Sequence, residues 1–375
     1  MPQEPQKNNA MPLSQLPQPK PGILDIAPYV GGKSQSKSGK PVVKLSSNES
    51  PLGASPEAIN AYKEAAEHLH RYPDGNAVKL REAIADVQKL PFEQIMCGCG
   101  SDELIGLLVH AYAGAGDEVL YPEHGFLMYK IYAQSFGATP VTAKEKGLRT
   151  DVDTLLAAVT PRTKIVFVAN PNNPTGSYIN KAEMKRLHDG LPPHVILAID
   201  GAYAEYPRSD DYSDGRELVA ASQNVVMLRT FSKIYGLSAL RLGWAYAPAH
   251  IVDVLNRIRG PFNVSSPSIS AGAAAMRDEA FTEKARVFNE KWLPWLSKEL
   301  TAIGLTVHPS IGNFILVQFP GGKHSASAAN LYMMDEGLIP REVANYGLPD
   351  CLRITIGLEE NNRAVVKALT NFMKS

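Results

Sequence analysis

VVMLRTFSKIYGLSALRLGW, residues 225–244, carries an unbroken apolar run into Arg229-Thr230, then one lysine, Lys233, in a Thr-Phe-Ser-Lys tetrapeptide, and an arginine eight positions further on, Arg241. A continuous run, rather than an alternating one, suits a strand buried on both faces of a parallel sheet. The same texture recurs upstream in QIMCGCG, EVLYP, TPVTA, KIVFVANP and VILAID and downstream in GWAYAP, with helical patterns between most of them. The region from about residue 75 to 250 therefore reads as an α/β domain whose mostly parallel sheet is flanked by helices.

Either side of that domain the texture changes. Upstream, Ser55 can cap a helix with Pro56 in its first turn and Ala58, Ile59, Tyr62 and Ala66 at helical spacing; this helix is expected to run into the Tyr72-Pro73 turn. Downstream of Pro267, one long helical stretch is expected through AFTEKARVFNEKWLPWLSKELTAIG, kinked at Pro294 and stopped by Gly304. A smaller α+β domain closes the chain, with strands in NFILVQF and LRITIG and helices near 325–336 and 359–373. The expected division is an extended or disordered arm at 1–22, the first part of the small domain at 23–53, the large domain at 54–265, and the rest of the small domain with its linking helix at 266–375.

With 375 residues and 44% apolar content, the chain can fill the core of one large and one smaller domain. Thirty-eight basic and thirty-eight acidic residues cancel, so no global field favours nucleic acid or an anionic membrane, and the expected partners are small molecules. No apolar run approaches the roughly 18 residues of a membrane span, and the N-terminus lacks a secretory or transit pattern. Three cysteines, of which Cys97 and Cys99 are too close to bridge comfortably, fit a reducing cytoplasm. No Cys or His pair at ligand spacing accompanies Cys97-Gly98-Cys99, so no metal is expected; these are small residues in a tight turn.

Ligands of a buried parallel sheet gather beyond the carboxyl ends of its strands. Four turns there are chemically odd. CGCGSDELIGL lets backbone approach a ligand at its glycines and opens a helix at Ser101, where free N–H groups favour an anion. VANPNNPTGSY presents Asn173 from a loop stiffened by two prolines, and ILAIDGAYAEY ends an apolar run in Asp200 with Tyr203 three residues on. The opening stretch sets Lys233 among Thr230, Ser232 and Arg241. Its ammonium is thereby destabilised and its free amine available, while the hydroxyls and guanidinium make a phosphate cage. Each turn also has an ordinary reading: a serine-capped glycine turn, a proline loop, a helix cap or ion pair, a solvated lysine. Together they describe a ligand with a phosphate arm, a basic ring nitrogen, a phenolic oxygen and an aldehyde, which is pyridoxal phosphate. Asp200 would keep the ring nitrogen protonated, and Asn173 and Tyr203 would bond the phenolic oxygen. Phe126, in YPEHGFLMY, either stacks on the ring or belongs to the core.

The order Gly-x-Gly-Ser-Asp-Glu, Pro-Asn-Asn-Pro-Thr-Gly, Asp-x-x-Tyr and Thr-x-Ser-Lys with arginine eight later resembles the aspartate aminotransferase fold, fold type I. Within it, SSNESPLGASPEA, HRYPDG, RTFSKIYGLSALRLGW, IPREV and CLRITIG resemble the histidinol-phosphate aminotransferase family, over roughly residues 23–375. The resemblance implies that Lys233 forms the internal aldimine and shuttles a proton. It implies that backbone at Ser101 and Asp102, with Thr230, Ser232 and Arg241, holds the cofactor phosphate, and that Tyr72 reaches that phosphate in the neighbouring subunit of a homodimer. Arg353 would grip the substrate's anionic end, helped by Tyr29, Asn48 and Arg341. The implied reaction is reversible transfer between L-histidinol phosphate and 2-oxoglutarate in histidine biosynthesis, with aromatic amino acids as side substrates. An aromatic or prephenate aminotransferase and a threonine-phosphate decarboxylase share these motifs. Cys99, Gly201 and Ser238-Ala239 stand where asparagine, glutamate and Ala-Gly are common, and none is expected to touch the chemistry.

Overall fold

A computed structural model describes residues 17–35 and 39–375. Most of the expected N-terminal arm, residues 1–16, lies outside the described residues.

In chain order the elements are β1 (Val43–Lys44), α1 (Pro56–Ala66), α2 (Val78–Gln88), β2 (Ile95–Gly98), α3 (Gly100–Tyr112), β3 (Glu118–Pro122), α4 (Leu127–Ser135), β4 (Thr139–Ala143), α5 (Val152–Ala157), β5 (Thr163–Ala169), α6 (Lys181–Gly190), β6 (Ile196–Asp200), α7 (Arg216–Ala221), β7 (Val225–Thr230) and β8 (Gly243–Tyr246). There follow α8 (Ala249–Ile258), α9 (Ser266–Arg277), α10 (Glu279–Ala302), β9 (Thr306–His308), β10 (Phe314–Gln318), α11 (Ala326–Asp335), β11 (Leu338–Ile339), β12 (Arg341–Glu342), β13 (Cys351–Thr355) and α12 (Glu359–Lys374). Among the described residues the large sheet has strand order β2-β8-β7-β6-β5-β3-β4, the small sheet β12-β13-β10-β9, and β1 pairs with β11. In the large sheet β8 runs antiparallel to both its neighbours, and the other pairs are parallel.

The unbroken apolar runs have a simple cause. On β5, β6 and β7, Val166, Val168, Leu197, Ile199, Val225 and Met227 enter one core, while Ile165, Phe167, Ile196, Ala198, Val226 and Leu228 enter a second core on the opposite face. Side chains alternate along a strand, so a sheet covered on both sides needs apolar residues at every position. Burying each of the Val, Leu, Ile, Phe and Met side chains among them stabilises by about 1.5–3 kcal/mol. Polar residues cluster toward the strand termini: Thr163 and Lys164 open β5, Asp200 and Thr230 close β6 and β7, and the buried Arg229 just before Thr230 is paired with Glu205 and Asp214.

Two helical expectations are corrected. Helix α1 is capped by Ser55, which accepts from Ala58 N at 3.1 Å, but it stops at Ala66, before Tyr72-Pro73. Beyond Ala66 the apolar stripe lapses: Leu69 is exposed and His68 and His70 flank it, so another turn has nothing to bury. The stretch after Pro267 is two helices, because Asp278 ends α9 and caps α10 by accepting from Phe281 N at 3.0 Å. Helix α10 then continues through Pro294, and Gly304 follows its end at φ +90°.

Helix α9 packs against α1 and α2. From Trp292 onward α10 joins a third core with Leu296, Leu300, Ile315, Leu352, Ile354 and Leu369, and Leu45 from the N-terminal segment is buried in it. The smaller antiparallel unit is thus built from both ends of the chain. Among the described residues no helix is long and apolar enough to cross a membrane, and no cluster of His, Cys, Asp or Glu could hold a metal ion.

Candidate active site

A cavity of about 540 Å³ opens where the carboxyl ends of β5, β6 and β7 face β12, β13 and the N-terminal segment. Of the residues singled out from sequence, Ser101, Asp102, Phe126, Asn173, Asp200, Tyr203, Thr230, Ser232, Lys233 and Arg241 line it, as do Tyr29, Asn48, Arg341 and Arg353. Tyr72 does not. It is 83% exposed and stacks on Phe262 with ring centroids 4.7 Å apart.

At the floor, the end of β6 buries the Asp200 carboxylate. Tyr129 donates to its Oδ2 at 2.8 Å and Ala202 N to its Oδ1 at 3.2 Å. Burial raises the carboxyl's pKa, and the Tyr129 hydrogen bond opposes that rise. Beside it, Lys233 Nζ donates to the Ser47 carbonyl at 3.0 Å. Burial, with Arg353 next in weight, lowers the Lys233 pKa to about 7, against a smaller upward pull from Glu49. A free amine is therefore well populated near neutrality. Tyr203 accepts from Asn48 Nδ2 at 2.8 Å, and burial pushes its pKa up to about 12.

At the anion end, Ser101 and Asp102 occupy the first turn of α3, where unpaired N–H groups and the helix dipole favour negative charge. Here the glycines are required by space: a Cβ on Gly243 would sit 2.2 Å from Ser101 N, and one on Gly100, at φ +81°, would sit 2.9 Å from the Arg241 guanidinium. Arg241 is itself left-handed at φ +48° and donates to the Ser238 carbonyl at 3.1 Å. Thr230 Oγ1 accepts from Ser232 N at 3.1 Å, which fixes the turn that presents both hydroxyls.

At the opposite end, register on the small sheet pairs Arg341 with Arg353. Arg341 donates to the Val30 carbonyl at 2.7 Å, and Arg353 donates to the Ser46 carbonyl at 2.6 Å and to Asn173 Oδ1. Arg353 Nε is buried without a partner, an arrangement that an incoming anion would satisfy. Asn173, expected at a phenolic oxygen, therefore turns its side-chain oxygen to Arg353 in this structure. The bend that brings Ser47 and Asn48 to the lysine is held by Asn48 in a left-handed conformation, φ +54°, with its N–H donated to Thr355 Oγ1 at 2.9 Å.

Sequence reasoning passed over Tyr129, Glu49 and the Ser47 carbonyl. Tyr129 had a signal, since it follows Phe126 by three residues at the head of α4 and so shares its face. Ser47 had none, because every residue carries a carbonyl. One expectation is also sharpened: among the departures noted, Ser238 reaches the cavity wall.

This arrangement of buried acid, depressed lysine and paired arginines agrees with the family comparison. Residues 40–369 match the aminotransferases of class I and II, and the chain belongs to that family. Its relatives are more particular. It is 55% identical over 359 residues to a histidinol-phosphate aminotransferase of Paramagnetospirillum magneticum, covering 95% of this chain and 99% of the relative. It is 54% identical to one of Rhodopseudomonas palustris, covering 95% and 98%. The crystal structure of histidinol-phosphate aminotransferase from Sinorhizobium meliloti in complex with pyridoxal-5'-phosphate superposes with a TM-score of 0.89 at 26% identity, over 97% of this chain and 99% of that one.

Proposed function

We propose that the chain is a pyridoxal-phosphate-dependent transaminase that moves an amino group reversibly between L-histidinol phosphate and 2-oxoglutarate in histidine biosynthesis. The observation that carries this reading is the Lys233 amine, its pKa lowered to about 7, held between a buried carboxylate and a pair of arginines in one cavity.

The residues fit the cofactor. The glycine-lined start of α3 with Ser232, Thr230 and Arg241 suits a phosphate, Asp200 suits a basic ring nitrogen, and Phe126 offers an aromatic face. When bound, the cofactor supplies an aldehyde for amines and a ring that takes up the electron pair of a broken Cα–H bond. Asp200 holds the proton at the ring nitrogen. Tyr203 and Asn173 hold the phenolic oxygen. Lys233, its Nζ directed by the Ser47 carbonyl, takes the substrate proton and returns it as a general base and acid. Arg353 and Arg341 bind the substrate's anion, and a guanidinium fork accepts a phosphate as readily as a carboxylate, so one site serves both half-reactions.

Tyr72 is read as reaching the phosphate of a second copy in a homodimer. The apolar surface around it, with Leu69 68% exposed and Phe262 45% exposed, supports that reading. Mixing two inactive variants, Lys233→Ala and Tyr72→Ala, then restores activity, since each mixed dimer holds one intact site. The three unpaired thiols suit a reducing compartment, and we assign the enzyme to the cytoplasm.

The test of the reaction is spectral. Purified holoenzyme is mixed with each donor, and the visible cofactor band is followed. Conversion by both histidinol phosphate and glutamate is expected, and no response to either overturns the reading. Faster turnover of tyrosine, phenylalanine or prephenate would replace it with an aromatic transaminase, and carbon dioxide release without an oxo acid with a decarboxylase.

A further inference from the structure

We propose that Tyr129 is a positioning residue for this reaction: its hydroxyl donates to Asp200 Oδ2 and keeps that carboxylate ionised and fixed in direction for the basic ring nitrogen. The proposal rests on the reading of the cavity as a pyridoxal phosphate site.

Tyr129 is fully buried, and packing alone would account for its ring. The ring stacks on Phe167 with centroids 4.6 Å apart and planes 5° from parallel, and it meets Phe126 edge-on at 5.9 Å and 88°. Phenylalanine would make all of these contacts. What packing does not explain is the hydroxyl, which sits 2.8 Å from Asp200 at the bottom of the cavity. A buried carboxylate needs donors to stay charged. Four titratable groups face Asp200: Tyr129 from α4, Asp102 from α3, Lys233 beyond β7 and Tyr203 beyond β6. Asp102 repels its charge and Lys233 attracts it, but only Tyr129 is within hydrogen-bond distance, the other oxygen being held by Ala202 N. Tyr129 keeps its proton, because burial and the adjacent carboxylate push its pKa well above the usual phenol range, so it acts as a donor. The same ring braces Phe126 at the cavity wall. One side chain therefore sets both the acid beneath the cofactor ring and the aromatic residue beside it.

Tyr129→Phe removes the hydroxyl and leaves the ring contacts. In the variant holoenzyme, the glutamate half-reaction is expected to slow about tenfold, the scale of a hydrogen bond to a charged group, with the glutamate KM within about twofold. The dissociation constant of apoprotein for pyridoxal phosphate, read by equilibrium dialysis, should rise several-fold. The pH midpoint of the visible band should move upward, because a weaker positive charge at the ring nitrogen makes deprotonation beside it harder. Phe167→Leu disturbs the same packing without touching the hydroxyl, so it should lower the Tm and leave the band midpoint in place. If Tyr129→Phe keeps rate, cofactor affinity and midpoint within twofold or 0.2 pH units of the parent protein, or if Phe167→Leu shifts the midpoint equally, the hydroxyl only satisfies the core and the proposal falls. A parent protein that fails to bind pyridoxal phosphate removes the reading of the site itself, and the two failures are told apart by that first titration.

Discussion

The wall of the cavity that belongs to the large sheet is made of strand ends, with Asp200 and Thr230 held between two apolar cores. The facing wall is made of Tyr29, 49% exposed on a segment without helix or strand, and of two arginines on short strands whose hydrogen bonds go to Val30, Ser46 and Asn173. The first wall is fixed by burial that a ligand cannot alter. The second is fixed by polar contacts that a ligand can replace. On the proposed reading, cofactor chemistry sits on the side fixed by burial and substrate choice on the exchangeable side, where different anions would be accepted in turn.

Variants can break this comparison. The largest effect is expected at Lys233: Lys233→Ala should lower kcat by about 10⁴-fold or more, since the proton shuttle and the amine that anchors the cofactor are both lost, and single-turnover absorbance measures it. Next comes Arg353→Lys, which keeps the charge and loses the fork. The KM for both substrates should rise roughly 10- to 100-fold, while the dissociation constant of pyridoxal phosphate changes less than about threefold. An equal change in both would show that the walls are not separable. Tyr29→Ala, on the exposed segment, should raise the KM for histidinol phosphate several-fold and leave cofactor binding unchanged; steady-state kinetics with both donors decides it.

The last effect is in apoprotein stability and is spread across several pH units. In the unfolded chain the Lys233 amine titrates at about 10.4, and in the folded apoprotein at about 7. Between those values the unfolded chain binds a proton that the folded one has released, so stability rises with pH, by at most about 1.4 kcal/mol per unit. Lys233→Met lacks this slope. Its Tm should exceed that of the parent apoprotein below pH 7, and the gap should close toward pH 10. Parallel melting curves across that range would contradict the burial of the amine.

The same contrast decides what was legible in the sequence. The large-sheet wall was readable because buried strands must be apolar throughout, which made Asp200 and Lys233 conspicuous where the runs end. On the other wall, Arg353 was found only through resemblance, since one arginine in a short strand has no local signature. That Asn173 would be engaged by Arg353 was not readable at all, because the two lie 180 positions apart and meet only when the sheets face each other. The helix ends were misjudged where the deciding contact was small: one aspartate cap at Asp278, and the lapse of an apolar stripe after Ala66.

β1 and β11, paired in parallel through Val43↔Leu338 and Lys44↔Ile339, are separated by about 295 residues. On a ribosome adding about 5–20 residues per second, the early strand waits roughly 15–60 s for its mate. The bend carrying Ser47 and Asn48 follows that early strand and takes its anchor from Thr355, near the last helix. The nascent chain can thus bury most of both large-sheet cores before Arg353 is made, and the cavity gains its second wall only when β12 and β13 pair.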